Sequence, residues 1–556
     1  MYKYIRYPLA LLIILSLFSI SSDHSLNSLT ITDNPEPITD FTLTIAHIND
    51  THAHIEPSNL KLTFENKTQK VEAGGLARLV TKVKQLRADN KNFLFLHAGD
   101  LFQGTLYFKL FNGFADKYFF ELAGLDAMVL GNHEFDKDTS TLEKFAAKSN
   151  FPLLSANIDF TTAEGLKKHI KPYIIKSFSQ EKVGIIGLTT QDTTHIALGA
   201  KNIIFQDPIT TAKKYIQELK NMGINKIILL THLGINEDQV LAQNLTDVDL
   251  IIGGHSHTVL GDFEGIGITT TAPYPLVLKD AAKKEVLIVQ AWNFAYILGR
   301  IDLTFNAQGE VTHYQGQPIL MLGEKTQLAT LPFTEVISED PVAKEKLQEF
   351  TKQLDNLKNN VVATADEDLI RGLNMGPGPI IADAMLWKTK ALDVQAAIIN
   401  TGGTRDDLLK GPITIATAYT VLPFENTYIV MDLTGQEIID VIEDNTTVQF
   451  TKGRIIPVNV AGLKYDVFIN SKQGQRIQNV FIRNENDIYV SIDKNKTYRI
   501  VTVNFLAQGG DYNDTLKNAK GYRYDTGFIE TEGFIDYIRM KKTISNITEK
   551  RIDIVK

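Results

Sequence analysis

The segment LAGLDAMVLGNHEFDKDTS (residues 122–140) places an amide, an imidazole and two carboxylates directly after a short apolar run. The four side chains belong to Asn132, His133, Glu134 and Asp136. Taken alone, the pattern is as typical of a turn that leads into a helix as of a functional site. Whether the segment is a turn or a functional site therefore depends on whether other predicted strands also end in such side chains.

Four further segments carry nitrogen and oxygen donors where an apolar run ends. Over the five segments, the candidate donors are Asp50, His52, Asp100, Asn132, His133, His232, His255 and His257. One such residue after a strand is more often a turn or cap residue than a ligand, but a repeat at five strand ends argues against that explanation. In an open α/β sheet the carboxyl ends of the strands form the edge where ligands bind. We therefore expect these side chains to converge.

The spacing of two pairs of donors supports this expectation. Asp50 and His52 are two residues apart, as are His255 and His257. In an extended chain, residues at this spacing point to the same side. Each pair is therefore expected to face one site.

The donor set indicates the kind of metal centre. It contains no sulfur and is larger than one ion needs, which favours two divalent ions drawn from Mn, Zn, Co, Fe or Mg over a structural zinc. In two-metal sites with ions roughly 3.5–4 Å apart, a bridging oxygen ligand and a shared water generate the nucleophile for in-line attack on phosphorus. Asp100 is the single carboxylate of its loop, so we expect it to bridge the two ions.

The elements that must position these residues follow from the periodicity. Apolar strands alternate with amphipathic helices from residue 42 to about 260, which predicts an α/β layered domain. Residues 287–304 have the pattern of a β-hairpin that closes this domain. Residues 336–360 are Pro-led and strongly charged, which predicts a linker helix between a first domain (41–330) and a second unit (361–550).

Composition and the chain ends limit the partners and the location. The 556 residues include 57 basic and 65 acidic side chains, a net charge of −8, so no nucleic-acid polymer is expected as partner. Residues 1–22 combine Lys3 and Arg6 with a short apolar run and Ser residues, the pattern of a signal peptide. The chain has no cysteine and a polar C-terminus, so we expect a periplasmic or secreted protein without a membrane anchor. The oligomeric state stays open.

Five motifs in order, NDTHAH, GDLFQGT, GNHEFD, THLG and GGHSHT, resemble those of the calcineurin-like metallophosphoesterase domain. More narrowly, the chain resembles the 5'-nucleotidase family, which includes periplasmic UDP-sugar hydrolases and ecto-5'-nucleotidases. The resemblance covers nearly the whole mature chain. It implies an α/β fold in which a four-layer α/β/β/α metallophosphoesterase domain is joined by a linker helix to a smaller α+β substrate-binding domain.

The resemblance also implies roles for the strand-end residues. One metal would be held by Asp50, His52, Asp100 and His257, and the other by Asp100, Asn132, His232 and His255. Many nucleotidases have Gln or Asn where this chain has His257. His133 and Asp136 match the catalytic pair of the family: an imidazole can stabilise or protonate the departing oxygen, and a carboxylate can orient it and favour its cationic form. Glu134 is expected to have a structural role.

Three loops of the second unit offer groups for a nucleotide. The candidate substrate-binding residues are Asn400, Gly403 and Arg405 in NTGGTRDDL, Phe424 and Asn426 in LPFENT, and Phe505 and Asp511 in NFLAQGGDYN. Their chemistry suits stacking on a base, accepting from a ribose diol and binding phosphate. In the family, two Phe residues clamp the base, Asn and Asp contact the base and ribose, and Arg residues meet the phosphate. The family also has Arg residues before an NMG segment; here only Arg371 is present, and the sequence does not decide whether it reaches the substrate.

The function that follows is a secreted dimetal phosphohydrolase that releases phosphate from nucleoside 5'-monophosphates and can act on other nucleotides. Two alternatives share its chemistry: a 2',3'-cyclic-nucleotide 2'-phosphodiesterase/3'-nucleotidase and a UDP-sugar diphosphohydrolase. An alternative of another class is an inactive nucleotide-binding surface protein. The sequence does not fix the base preference or the identity of the metal.

Overall fold

The computed structural model describes residues 40–556 except 66, 324–327, 329–330, 425, 452–456 and 485. The expected signal peptide (1–22) lies outside the described residues. None of the helices in the described part of the chain is long and apolar enough to cross a membrane.

A ten-stranded mixed sheet forms one half of the first domain. Its central strand, Phe41–Ile48, pairs parallel with Phe93–His97 and antiparallel with Ile297–Phe305. In spatial order the strands are Ser58–Phe64, Lys67–Ala73, Val311–Leu322, Ile297–Phe305, Phe41–Ile48, Phe93–His97, Ala127–Val129, Leu153–Leu154 and Ile170–Lys171, and Thr334–Val336 pairs with Val311–Leu322.

A six-stranded sheet forms the other half. Its four inner strands are mutually parallel and both of its edge strands are antiparallel to their neighbours. In spatial order the strands are Leu276–Lys279, Glu285–Val289, Leu250–Ile252, Ile227–His232, Glu181–Thr189 and Tyr173–Phe178. A two-stranded pairing, Ile158–Asp159 with Ile204–Phe205, lies outside both sheets.

The two sheets pack face to face. Ile45, Leu96 and Val129 of the larger sheet share one buried core with Ile185 and Leu230 of the smaller. Two further apolar clusters line the outer faces. The helices are Leu76–Asp89, Leu106–Phe111, Phe114–Ala123 and Thr139–Lys148 on the larger sheet, Pro208–Asn221 and Ile235–Asn244 on the smaller, and the short Glu164–Lys167 and Thr193–Ile196. The domain therefore has the expected four α/β/β/α layers.

The predicted β-hairpin over 287–304 is wrong. Glu285–Val289 lies in the six-stranded sheet, whereas Ile297–Phe305 lies in the ten-stranded sheet between two antiparallel partners. Both segments have the apolar pattern of strands, but their buried residues fill opposite halves of the same core. Residues 290–296, here named the crossover loop, therefore connect the two sheets.

A helix, Pro341–Lys358, follows the first domain. Asp340 caps it by accepting hydrogen bonds from the backbone N–H groups of Val342 and Ala343, both at 3.0 Å, and Pro341 occupies its first turn. An N-cap aspartate and a proline in the first turn both favour the start of a helix, so they explain why the helix begins at Pro341.

The C-terminal part is a separate α+β domain with three sheets. Its five-stranded sheet consists of Asn459–Ala461, Ala396–Ile399, Thr497–Val503, Thr427–Thr434 and Arg523–Ile529; its four-stranded sheet of Tyr489–Ser491, Ile477–Arg483, Leu463–Phe468 and Ile552–Val555; and its three-stranded sheet of Gly411–Thr414, Val361–Ala365 and Thr543–Ile544. The helices are Pro377–Lys388, Ile415–Val421, Asn504–Ala507, Asp514–Asn518, Gly435–Thr451 and Glu530–Lys541.

Candidate dimetal active site

The strand-end donors of the first domain meet in one place. Backbone hydrogen bonds hold two of the loops side by side, since Asp50 N–H donates to Gly99 O (2.9 Å) and His52 N–H donates to Asp100 O (3.1 Å). The loop after Leu250–Ile252 joins them, because His255 N–H donates to the Asp50 carboxylate at 3.0 Å.

The paired donors do not converge through extended backbone, so that part of the sequence argument is wrong. Asp50, His52, His255 and His257 have φ values of 51°, 46°, 75° and 50°, and Asp100 has 59°. These left-handed conformations are uncommon for residues with side chains and concentrate at functional sites. The chain turns sharply after each strand, and the turn directs the donors inward.

The first metal-ligand cluster contains Asp50, His52 and His257, whose ligand atoms lie within 4.8 Å of one another. His257 Nε2 is 3.3 Å from Asp50 Oδ1 and 3.2 Å from His52 Nε2. His52 Nδ1 donates to Phe102 O at 3.0 Å, which leaves its Nε2 lone pair directed into the cluster. Burial also lowers the pKa of His52, which favours the neutral ring that a metal requires.

The second cluster contains Asp100, His232 and His255, again within 4.8 Å. His232 Nε2 is 3.0 Å from Asp100 Oδ2, and its Nδ1 donates to Ala98 O at 2.7 Å. Asn132 belongs to the same cluster, because its Oδ1 is 2.8 Å from His255 Nδ1. Burial lowers the pKa of His232, but the Asp100 carboxylate more than offsets this and raises it to about 10.

Asp100 lies between the two clusters. Its Oδ2 is 3.0 Å from His232 Nε2 and 3.8 Å from His52 Nε2, and its Oδ1 accepts from the His133 N–H at 2.9 Å. Gly131 passes so close that an added Cβ would lie 2.2 Å from Asp100 Oδ1. This donor set of carboxylates, imidazoles and an amide fits two divalent ions, with Asp100 placed to contact both.

His133 and Asp136 form a buried pair beside Asp100, and a ring nitrogen of His133 also lies within 4.8 Å of the ligand atoms of His52 and Asp100. His133 Nδ1 is 2.5 Å from Asp136 Oδ2, and its Nε2 is 3.9 Å from Asp100 Oδ2. Burial lowers the pKa of His133, but Asp136 and then Asp100 outweigh this and raise it above its usual value. The pair therefore favours the protonated form of the imidazole.

Glu134 does not line the cleft and instead holds together the loops that carry Asp100 and Asn132. Its carboxylate accepts from the N–H groups of Asp100 (3.0 Å), Leu101 (2.8 Å), Phe102 (3.0 Å) and Gly131 (2.6 Å). These contacts fit the structural role expected from the sequence.

A cleft of about 410 Å³ lies between the metal-ligand clusters of the first domain and the second domain. The predicted substrate-binding residues that line it are Asn400, Gly403, Arg405, Phe424, Asn426, Phe505 and Asp511. On the opposite wall are Asp100, Asn132, His133, Asp136, His255 and His257. Distant segments of the sequence therefore face one another across a single cavity.

Two of the second-domain groups are held by neighbours. Asn400 Nδ2 donates to Asp511 Oδ2 at 2.6 Å. Asn426 Nδ2 donates to Glu530 Oε2 at 2.9 Å, and Asn426 O accepts from the Glu530 N–H at 2.7 Å. The sequence does not predict that Glu530 holds Asn426. Glu530 is the first residue of a helix, and no pattern in that segment indicates the contact.

The two arginines have different positions. Arg405 lies in the cleft with its guanidinium 5.6 Å from the ring centroid of Phe424. Arg371 does not line the cleft: its Nε donates to Asp407 Oδ1 at 3.2 Å, and nearly half of its side chain is exposed. Of these two arginines, only Arg405 is therefore placed to meet a phosphate in this structure.

Comparison with known proteins agrees with the fold and the site. Residues 43–259 match the calcineurin-like phosphoesterase family, and residues 361–518 match the 5'-nucleotidase C-terminal domain. The crystal structure of a 5'-nucleotidase precursor from Thermus thermophilus is 41% identical and superposes with a TM-score of 0.86, over 93% of this chain and 99% of that one.

Curated relatives give the same assignment. A probable 5'-nucleotidase of Treponema pallidum is 31% identical over 92% of this chain and 94% of its own length. The trifunctional nucleotide phosphoesterase protein YfkN of Bacillus subtilis is 34% identical over 93% of this chain, which spans only 35% of that longer protein. The fold and site thus define a calcineurin-like metallophosphoesterase, a class of hydrolase that uses two divalent metal ions. Within that class, the chain belongs to the 5'-nucleotidase family.

Proposed function

We propose that this protein releases inorganic phosphate from nucleoside 5'-monophosphates. The observation that carries the proposal is the shared cleft, in which the metal-ligand clusters face two aromatic rings and a carboxylate on the second domain. Such a cavity suits a ligand with a phosphate at one end and a nucleoside at the other. We propose 41–330 and 361–550 as the two domains and 336–360 as the linker between them.

The part of the cleft that is lined by the metal-ligand clusters determines the reaction. We assign Asp50, His52 and His257 to one ion, Asn132, His232 and His255 to the other, and Asp100 to both. Two divalent ions held there supply a nucleophile at neutral pH and neutralise charge on the phosphoryl group. Since both ions require deprotonated ligands, His232 must present an unprotonated Nε2, the atom 3.0 Å from Asp100 Oδ2, when they bind.

His133 acts on the departing oxygen. Asp136 accepts from Nδ1–H and favours the imidazolium, and in that form the second proton lies on Nε2 and faces the cleft. An imidazolium at this point stabilises the charge that develops on the 5'-oxygen and donates the proton that the leaving nucleoside needs.

The second domain selects the nucleoside. The rings of Phe424 and Phe505 are placed to hold a base by stacking, and Asp511, oriented by Asn400, to accept from the ribose diol. Arg405 supplies a planar cation next to the reacting phosphate. Asn426, held by Glu530, presents its remaining polar groups to the same cavity.

Product analysis tests the proposal against its alternatives. The purified protein is incubated with AMP, 2',3'-cAMP or UDP-glucose, and the products are separated by chromatography. We expect adenosine and phosphate from AMP at the highest kcat/KM. Preferential turnover of the cyclic nucleotide or of the UDP-sugar would replace the proposed substrate by the alternative. We further propose that the protein acts after export, in the periplasm or outside the cell, which detection in the corresponding cell fraction tests.

A further inference from the structure

The crossover loop (residues 290–296) lies directly behind the first metal-ligand cluster. Three of its residues, Trp292, Phe294 and Ala295, have positive φ values of 56°, 54° and 56°. The loop is bonded on both sides to the segment that carries Asp50: Phe294 N–H donates to Asp50 O at 2.9 Å, and Asn49 Nδ2 donates to Trp292 O at 2.6 Å. A strained loop that is held this firmly is typical of a functional constraint.

Phe294 packs against the histidines of this cluster. Its ring is stacked on His54 with centroids 3.8 Å apart, and it meets the rings of His52 and His257 edge-on at 6.0 Å. These contacts limit rotation of the two ligand rings. The loop therefore contributes shape as well as backbone bonds to the cluster.

Asn293 contacts the ligand ring of His257 directly. Its Nδ2 lies 3.0 Å from His257 Nδ1. Its Oδ1 is buried and has no hydrogen-bond partner within the described part of the chain. An amide nitrogen can only donate, so this orientation makes His257 Nδ1 an acceptor and puts the ring proton on Nε2. Nε2 is the atom that faces Asp50 and His52, and a protonated Nε2 has no lone pair for a metal ion.

We infer that Asn293 is a positioning residue for His257, and that its amide presents Oδ1 to the His257 Nδ1–H when metal is held. Exchange of Oδ1 and Nδ2 leaves the shape of the side chain unchanged. It gives the unpartnered oxygen a donor and frees the Nε2 lone pair toward Asp50 and His52. His52 and His232 already have this arrangement. Each ring donates its Nδ1–H to a backbone carbonyl, which leaves the lone pair of Nε2 free. For His257 the side chain of Asn293 takes the place of that carbonyl.

The inference rests on the proposed function only in that it takes Asp50, His52 and His257 as ligands of one ion. Partners that orient a ligating histidine through its other nitrogen typically change metal affinity by about 10- to 100-fold. The effect of Asn293 should have this size and should act on one of the two ions.

The test compares Asn293→Ala, Asn293→Asp and, as a control in the same loop, Tyr296→Phe. After removal of metal with EDTA, binding of Zn²⁺ and of Mn²⁺ is measured by chelator competition and the number of bound ions by elemental analysis, with no nucleotide present. We expect Asn293→Ala to weaken one site by about 10- to 100-fold. Asn293→Asp, which can only accept, restores the affinity, and Tyr296→Phe leaves it unchanged. Wild-type binding by Asn293→Ala, or equal loss in Asn293→Asp, overturns the inference.

A double-mutant cycle with His257→Ala shows whether the effect passes through that ring. Once His257 is absent, Asn293→Ala should cause no further loss of metal. A second loss of the same size would mean that Asn293 acts elsewhere and would overturn the inference. If Asn293→Ala does not fold, as judged by circular dichroism of the metal-free protein, Asn293→Leu carries the same prediction with a side chain of similar size. A protein that binds two ions in this pattern but hydrolyses no nucleotide would contradict the proposed function alone.

Discussion

The imidazole of His133 lies nearly parallel to the ring of Phe424, with centroids 5.6 Å apart and planes inclined by 21°. His133 belongs to a strand-end loop of the first domain, whereas Phe424 belongs to the second domain. The group assigned to the leaving oxygen and a ring assigned to the base are therefore in contact in this structure. Changes on the two sides of this contact should affect different kinetic constants.

Replacement of both Phe424 and Phe505 by Ala should weaken binding of AMP. Loss of stacking on a base costs about 1–3 kcal/mol, so we expect KM for AMP to rise about 5-fold or more. Hydrolysis of an aryl phosphate, which does not use a base pocket, should change little. Phe481→Ala, at an exposed ring of the second domain, is the matched control. Equal losses on both substrates would contradict base stacking.

Replacement of His133 by Ala should reduce kcat for AMP by about 10²–10⁴-fold, the usual contribution of a general acid. Because nitrophenolate leaves without a proton, the loss on p-nitrophenyl phosphate should be much smaller. Elemental analysis should show the same metal content as in the wild type. A variant with full kcat on AMP would show that His133 does not assist the leaving group.

Asp136→Asn should move the alkaline limb of the pH–rate profile to lower pH. Burial lowers the pKa of His133, and the carboxylate of Asp136 is the main group that raises it above its usual value. The acid form acts below this pKa, so activity falls as the pH rises through it. Without the carboxylate the pKa of His133 drops, and the fall should begin at a lower pH. The profile of kcat/KM from about pH 5 to 9 measures this, and an unchanged alkaline limb would be the contrary result.

Arg405→Ala and Arg371→Ala should differ in effect. A hydrogen bond to a charged group contributes about 1.5–3 kcal/mol, so loss of Arg405 should raise KM for AMP by about 10-fold or more. Arg371 is held by Asp407 outside the cleft, so its replacement should change KM less than threefold, a change of about 0.6 kcal/mol. Steady-state kinetics on AMP gives KM for both variants. A rise in KM for Arg371→Ala as large as that for Arg405→Ala would place Arg371 at the substrate.

Glu530→Gln should remove a pH-dependent loss of stability. Burial raises the pKa of Glu530 from 4.5 to about 7, so the folded protein favours its neutral form. The wild type should therefore lose stability relative to Glu530→Gln as the pH rises from 4.5 through 7, by roughly 3 kcal/mol at about 1.4 kcal/mol per pKa unit. Urea unfolding of both proteins at about pH 5 and pH 8 measures the difference. A constant difference would show that the carboxyl is not buried against Asn426 as described.

The layered fold and the meeting of the strand-end donors could be predicted from the sequence because both follow from local patterns. Strand periodicity and helix caps, such as Asp340 before Pro341, act over a few residues. The edge rule for parallel strands then brings Asp100 close to the loop of Asn132 and His133, because these two loops follow neighbouring parallel strands. His232 ends a strand of the other sheet, so its approach to Asp100 depends on the packing of the two sheets.

The features that could not be predicted depend on contacts between distant segments. The hairpin prediction fails at the crossover loop because its neighbouring strands have the same apolar pattern whether they share a sheet or not. The contact of Asn293 with His257 and that of Glu530 with Asn426 join residues whose proximity no local pattern encodes. The left-handed turns at Asp50 and His52 likewise exist because surrounding hydrogen bonds impose them.

The central claim is that two metal ions in this site drive phosphate release from a nucleoside 5'-monophosphate. The most direct measurement strips the purified protein with EDTA and then follows phosphate release from AMP as Mn²⁺, Zn²⁺, Co²⁺ or Mg²⁺ is returned, with bound metal counted in parallel. We expect no turnover in the stripped protein and full activity as occupancy reaches two ions per chain. Turnover that persists after complete removal of metal, or that no divalent ion restores, would contradict this account.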